Sequence, residues 1–461
     1  MEHVAPSSAG NTSAGRSLTV PPDSLLPPGL VGLTNADLIR YFDNTWELYE
    51  WLFDALQGDA LYAQPDPLRH PLVFYWGHTA AFYINKLVMA GFLPKGPNPR
   101  FEELFAKGVD PACAGDLDCV NLWPSRDDVR AYRAEAHAII RGVMERAELE
   151  PRIDDRSPHW SILMGLEHDR IHFETSSVLF RQLAASRLKR PPRWSIAPTG
   201  TPAPARRWLD VPARRVSLGR GMDLPQFGWD NEFGHLDVDV APFQATAHLV
   251  TNQDFLAFWA EGGYHDPRLW TADGWAWRQE LGVTHPRFWI PTGSDVRYRA
   301  MFDELDMPWS WPAEVNGFEA QAFCNWVGGG VRLMTEAEWA AICQDAPLVD
   351  NDSIGHPGYN LNLRYGSPTP VDLMAAGRTP LGFYDVYGNV WQWFSDDFRP
   401  LPGFRTHRLY EDFSEPYFDS EHAALGGGAW ASMGTSGSRF YRLWFRRHFY
   451  QHAGLRLARS L

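Results

Sequence analysis

A proline-rich stretch from Lys189-Arg190-Pro191-Pro192 to Pro202-Ala203-Pro204 divides the chain into two pieces with different apolar periods. Proline fixes φ and lacks a backbone N–H, so neither a helix nor a central strand continues through it, and 189–206 reads as a linker. Residues 30–188 carry four long runs with helical spacing. The first is capped by Asn35 and passes through Ile39, Phe42, Trp46, Tyr49 and Leu52. The second covers 70–91, the third is opened by Ser125 with Asp128 three residues on, and the fourth covers about 158–183. Four amphipathic helices of this length predict a four-helix bundle, a scaffold that can hold a metal between facing helices.

Residues 207–461 instead break into short strand-like stretches, such as 215–218, 390–393 and 455–458, between glycine-rich turns. Clear helices are expected at Gly317–Val327 and over 335–343, where Thr335-Glu336-Ala337-Glu338 forms a capping box. The fold class is therefore α+β with two domains. Tryptophan follows the division: 15 of the 21 lie after the linker. Their bulk suits irregular packing in which each N–H finds an acceptor. Residues 1–29, rich in Ser, Gly and Pro, read as a disordered tail.

Charge narrows the function classes. Lys+Arg number 42 and Asp+Glu 56, a net charge of −14, which excludes nucleic acid as a general partner. No apolar run reaches the roughly 18 residues of a membrane span. The first residues lack the basic-then-apolar order of a leader, so the expected location is cytoplasmic. Cys113, Cys119, Cys324 and Cys343 form no CxxC pair and read as free thiols.

The sharpest local signal is Glu167-His168-Asp169-Arg170-Ile171-His172-Phe173-Glu174 in the fourth helix. His168 and His172 are four residues apart and so project from one helical face, as two ligands of one ion must. His78 sits in the apolar segment Phe74-Tyr75-Trp76-Gly77-His78-Thr79-Ala80-Ala81-Phe82, where a buried imidazole needs a partner. Two histidines on a facing helix supply one. Imidazole suits iron, zinc and copper alike, and three leave coordination positions open. Glu174 is turned by about 200° from His172 and reads as a structural carboxylate rather than a ligand.

Four segments of the second piece together resemble the formylglycine-generating-enzyme domain, a C-type-lectin-like fold. They are Leu249-Val250-Thr251-Asn252-Gln253-Asp254-Phe255, Arg332-Leu333-Met334-Thr335-Glu336-Ala337-Glu338-Trp339, Gly388-Asn389-Val390-Trp391-Gln392-Trp393 and Leu425-Gly426-Gly427-Gly428-Ala429-Trp430. The oxidase branch of that family uses a cysteine pair near its C-terminus. This chain has no cysteine after Cys343, so cysteine-to-formylglycine oxidation is not expected.

A DinB-like metal-binding bundle (30–188) joined to such a domain (207–461) resembles the non-haem iron sulfoxide synthases of thiol-imidazole biosynthesis. His70-Pro71-Leu72-Val73-Phe74-Tyr75-Trp76-Gly77-His78-Thr79, the helix from Met164 through Ser177, Phe227-Gly228-Trp229-Asp230-Asn231-Glu232 and Gln451-His452-Ala453-Gly454 look like the ovothiol branch, the 5-histidylcysteine sulfoxide synthases. Many of that branch continue into a methyltransferase domain. This chain ends at Leu461, so methylation is expected from a separate methyltransferase and cleavage from a separate C–S lyase.

The resemblance implies Fe(II) on His78, His168 and His172, with cysteine, histidine and O2 as the small-molecule substrates. It further implies a tyrosine that delivers a proton or hydrogen atom, which position assigns to Tyr410, with Tyr417 second. Arginines that clamp carboxylates are expected among Arg439, Arg442, Arg446 and Arg447. Selenium-inserting relatives, which join a selenosugar to histidine or trimethylhistidine, and ergothioneine-type synthases share the architecture and remain alternatives. A purely binding module is the reading from a different class, and it gives no reason for an open metal site.

Overall fold

The computed structural model describes residues 23–106, 117, 122–293 and 295–461. Cys113, Cys119 and most of the expected tail lie outside the described residues. Residues 23–29 are anchored: Ser24 donates to Asn362 at 2.6 Å and accepts from Arg170 at 2.7 Å.

The bundle consists of α1 (Asn35–Asp54), α2 (Leu72–Met89), the short α3 (Pro99–Leu104), α4 (Arg126–Arg146) and α5 (Trp160–Arg181). Thr34, not Asn35, caps α1, because Thr34 and Asp37 close a reciprocal capping box. The Asn35 amide instead donates to the carbonyls of Glu145 and Ala147 at the end of α4. The second helix starts at Leu72 rather than at His70, since Pro71 keeps the residue before it extended. Ser125 caps α4 as its spacing predicts. Helices α2 and α5 cross closely where Gly165 faces Tyr83; a Cβ on Gly165 would fall 2.2 Å from that ring. This approach brings His78 to the two histidines of α5.

The second domain holds two four-stranded sheets. One has the order Trp208–Val211, Phe243–Thr246, Leu457–Ser460, Arg332–Leu333 and is antiparallel throughout. The other has the order Leu443–Arg446, His422–Gly426, Trp391–Asp397, Ala453–Gly454, its last pair parallel. Around them lie α6 (Asn252–Ala260), α7 (Ala272–Glu280), α8 (Gly317–Val327) and α9 (Glu336–Cys343), the last capped by Thr335. Trp391, Trp393 and Trp430 are buried in this domain's core. The Trp393 N–H donates to the Val315 carbonyl at 3.0 Å. The linker is packed too, with Trp194 stacked on Trp51 of α1 and set edge-on to Trp430.

One stripe of α5 joins the halves. Glu167, Glu174, Ser177 and Arg181 recur at near-helical intervals and all bond across the domain boundary. Glu167 accepts from the Thr435 N–H and hydroxyl at 2.6 and 2.9 Å. Glu174 accepts from the Trp391 N–H at 2.6 Å and the Ser432 hydroxyl at 2.8 Å. Ser177 meets His452 at 2.7 Å, and Arg181 makes a two-pronged pair with Glu314 at 2.5 and 2.8 Å. Glu174 is thus a structural carboxylate on the domain side of the helix, where burial pushes its pKa up to about 7.

Candidate metal centre

Four residues of α2 at intervals of four, Phe74, His78, Phe82 and Lys86, form one stripe facing α5. His78 projects from its middle towards His168 and His172. The three rings lie 4.3 to 5.0 Å apart by centroid, and one nitrogen from each falls within 4.8 Å of the others. Phe82 lies flat against His168 at 3.5 Å, and Phe74 stacks on His78 at 5.1 Å. These aromatic walls fix the ring planes and keep water from the inner side.

Hydrogen bonding fixes the tautomer of His78. Its Nδ1–H donates to the Phe105 carbonyl at 2.6 Å, which leaves the Nε2 lone pair free. Phe105 is held there by Gly77, whose Cβ, if it had one, would fall 2.5 Å from the Phe105 ring. Burial lowers all three pKa values, that of His78 to about 4 and those of His168 and His172 well below the ordinary range, so the set is neutral at pH 7.

This donor set fits a metal. The Nε2 atoms of His168 and His172 face each other at 3.1 Å, close to the separation of two neighbouring nitrogens each about 2.1 Å from one ion. The Nδ1 atoms of both rings are buried without a hydrogen-bond partner among the described residues. Three converging neutral imidazoles with so few protein partners have more donor capacity than the protein itself uses.

The histidines open onto a cavity of about 780 Å³ between the bundle and the second domain. Tyr410 and Tyr417 both border it. Tyr410 is nearer the cluster, its ring 6.2 Å from His168 and 5.1 Å from Phe82, and burial raises its pKa so that it stays a phenol. Tyr417 lies towards the edge, stacked on Trp444 at 3.7 Å. The loop carrying Tyr410 and Phe413 also walls a neighbouring cavity of about 830 Å³.

None of the four expected arginines is among the residues bordering the histidine cavity. Arg442 pairs with Glu336 at 2.6 Å, Arg447 with Asp397 at 2.8 Å, and Arg446 with Glu421. Arg439 borders a different cavity, and its guanidinium lies 4.5 Å from the Phe440 ring. These carboxylates take up three of the four charges that the sequence offers to a substrate. The cations that do border the cavity are Arg69, Lys86 and Arg408, and Tyr441 joins its wall. A signal for Lys86 exists in the sequence: it continues the four-residue stripe through His78. Arg69 precedes His70 and Pro71 without any such pattern.

Residues 207–461 match the sulfatase-modifying factor enzyme 1-like domain, and residues 41–176 match the DinB superfamily. The chain is 30% identical over 423 residues to a hercynine oxygenase of Mycolicibacterium smegmatis, covering 86% of this chain and 93% of that protein. It is 30% identical over 414 residues to a hercynine oxygenase of Mycolicibacterium thermoresistibile, covering 86% and 88%. It is 22% identical over 511 residues to ergothioneine biosynthesis protein 1 of Neurospora crassa, covering 90% of this chain and 56% of that one.

Proposed function

This chain belongs to the hercynine oxygenase family, and from that premise we propose that it joins a thiol to the imidazole of a histidine-derived amino acid and oxidises the bridging sulfur to a sulfoxide. The balance is one thiol, one imidazole and one O2 giving one sulfoxide adduct and one water. C–S bond formation and sulfur oxidation supply the four electrons that O2 takes up. The observation that carries the reading is the neutral three-histidine cluster opening on a cavity large enough for two amino acids.

His78, His168 and His172 would hold Fe(II), which supplies one-electron chemistry towards O2 and lowers the pKa of a bound thiol. The protein does the rest. Phe74 and Phe82 hold the imidazole planes and exclude water behind them. Tyr410 presents a protonated hydroxyl, a proton or hydrogen-atom source on the cavity side of His168, with Tyr417 as the second candidate. Binding both acids in one cavity converts a many-body encounter into an effectively intramolecular one.

The names of the relatives favour trimethylhistidine (hercynine) as the imidazole substrate. A second reading, free histidine with cysteine, is favoured by the segments around His78, His168 and Asp230 that look like the ovothiol branch. Aerobic incubation of Fe(II)-reconstituted protein with cysteine and either hercynine or histidine, followed by mass spectrometry, tests both. The expected product is the sulfoxide adduct of one acceptor in clear preference to the other. Absence of any adduct from iron-loaded protein would overturn the proposal.

A further inference from the structure

Two buried cations border the histidine cavity without a carboxylate in ion-pair contact among the described residues. Arg69 and Lys86 are each 8% exposed. Among the described residues neither forms an ion pair with a carboxylate. Arg69 is held by stacking instead, its guanidinium 3.9 Å from the Phe449 ring and 5.4 Å from Phe445. Its Nη2 is buried with no hydrogen-bond partner. Lys86 donates to the Leu409 carbonyl, and its ammonium sits 4.3 Å from the Tyr410 ring and 4.8 Å from Phe82. Burial lowers the Lys86 pKa to about 8, against the pull of the Asp412 carboxylate, which lies beyond ion-pair distance.

A buried charge is costly unless paired, and two of one sign in one cavity are costlier still. They also stand at different walls of the cavity: the Lys86 ammonium lies over Phe82 and Tyr410, the rings beside His168, whereas the Arg69 guanidinium lies over Phe445 and Phe449 of the second domain. Arg408, the third cation at the cavity, is exposed at its mouth and bonded to the Arg156 carbonyl. The reaction read above needs two substrates, and each is an amino acid with one carboxylate.

We propose that Arg69 and Lys86 each bind the carboxylate of one of the two amino-acid substrates, so that the two cations set which acid lies on which side of the histidines. This rests on the function proposed above and adds the residues that select its substrates. The orphan Nη2 of Arg69 gives a carboxylate oxygen a donor, with stacked aromatic rings around it. Lys86 has two ammonium protons beyond the one given to Leu409, and the nearby Asp412 offers a partner to a substrate ammonium.

The test uses Arg69→Gln and Lys86→Met in the full chain, with KM measured for each acid and for the decarboxylated analogues histamine and cysteamine. Each variant is expected to raise the KM of one acid roughly 10- to 100-fold, a different acid in each case, the range expected when a bond to a charged group is lost. The wild-type preference for that acid over its analogue should collapse with it, and Lys86→Arg should restore most of the Lys86 effect. Calorimetric titration of histidine, hercynine and cysteine into anaerobic protein should show the same pattern in Kd. A uniform rise in both KM values, a fall in kcat alone, or a retained preference for the carboxylated substrate would overturn the assignment. If wild-type protein neither binds nor couples any of these acids, the function itself fails; if it does and the variants do not discriminate, only the present inference fails.

Discussion

Two clusters of buried polar groups lie along α5 and follow opposite plans. Around Arg181 and Ser177, every polar side-chain atom is spoken for. Arg181 donates to Glu314, to the Tyr298 hydroxyl and to the Arg299 carbonyl. His452 accepts from Arg181 at Nδ1 and donates from Nε2 to Ser177. Around His168 and His172, both Nδ1 atoms lack a partner and the Nε2 atoms face each other. Yet both clusters lie on one helix, a few turns apart, and only His172 among their helix residues is part-exposed. The satisfied cluster is built to hold two domains in register, and the unsatisfied one to receive something from outside.

The comparison breaks first at the metal. His172→Ala removes one of three converging donors but few hydrogen bonds, so it should abolish iron binding while shifting the unfolding free energy of the metal-free protein by less than about 1 kcal/mol. Iron content by elemental analysis, with urea denaturation alongside, checks both halves. Full iron occupancy in this variant would sink the assignment of the cluster.

Arg181→Met should do the reverse. It leaves the Glu314 carboxylate buried without its partner, and a buried pair broken on one side costs about 3–5 kcal/mol. Burial alone would raise the Glu314 pKa, but the Arg181 charge paired with it holds it down at about 2. The variant should therefore unfold at markedly lower urea, yet the fraction that remains folded should still bind iron. A stable Arg181→Met protein would mean that this pair does not hold the domains together.

What the sequence made legible, and what it hid, follows the same division. The histidine pair of α5 is a local pattern, four residues apart on a helix whose period the flanking leucines already announce. His78 needed only one further step, a polar residue in an otherwise apolar run. The cap of α4 at Ser125 and the box at Thr335 are local as well, and both form. The arginines expected at the substrate carboxylates had no such signature. Arg442 meets Glu336 across 106 positions and Arg447 meets Asp397 across 50. A guanidinium waiting for a substrate and one already matched by a distant carboxylate look alike in a linear chain. Lys86, one of four lysines, is legible only as the continuation of the stripe through His78, against the bias that a lysine on a helix usually marks its solvated face.

The smallest effect belongs to protons. His452 is fully buried, and burial lowers its pKa to about 4 against the pull of Glu314. Its Nδ1 accepts from Arg181 at 2.9 Å with the Glu314 carboxylate farther off at 3.3 Å, so a proton added there would displace the guanidinium's bond. In the unfolded chain the same imidazole titrates near 6.5. As pH falls from about 6.5 towards 4 the unfolded state takes up a proton that the folded state refuses, and stability drops by about 1.4 kcal/mol per pH unit from this group alone. Above about 6.5 the contribution is complete. His452→Gln keeps a polar side chain but cannot titrate, so it should be less stable than wild type at pH 7 and close that gap as the pH falls to 5. Urea unfolding of both proteins, each stripped of metal, measures the gap directly. A gap that stays constant from pH 7 to 5 would mean that His452 takes up a proton in the folded protein as readily as in the unfolded chain, and a gap that widens would mean that the ring is already charged at pH 7 where its hydrogen bonds call for a neutral one.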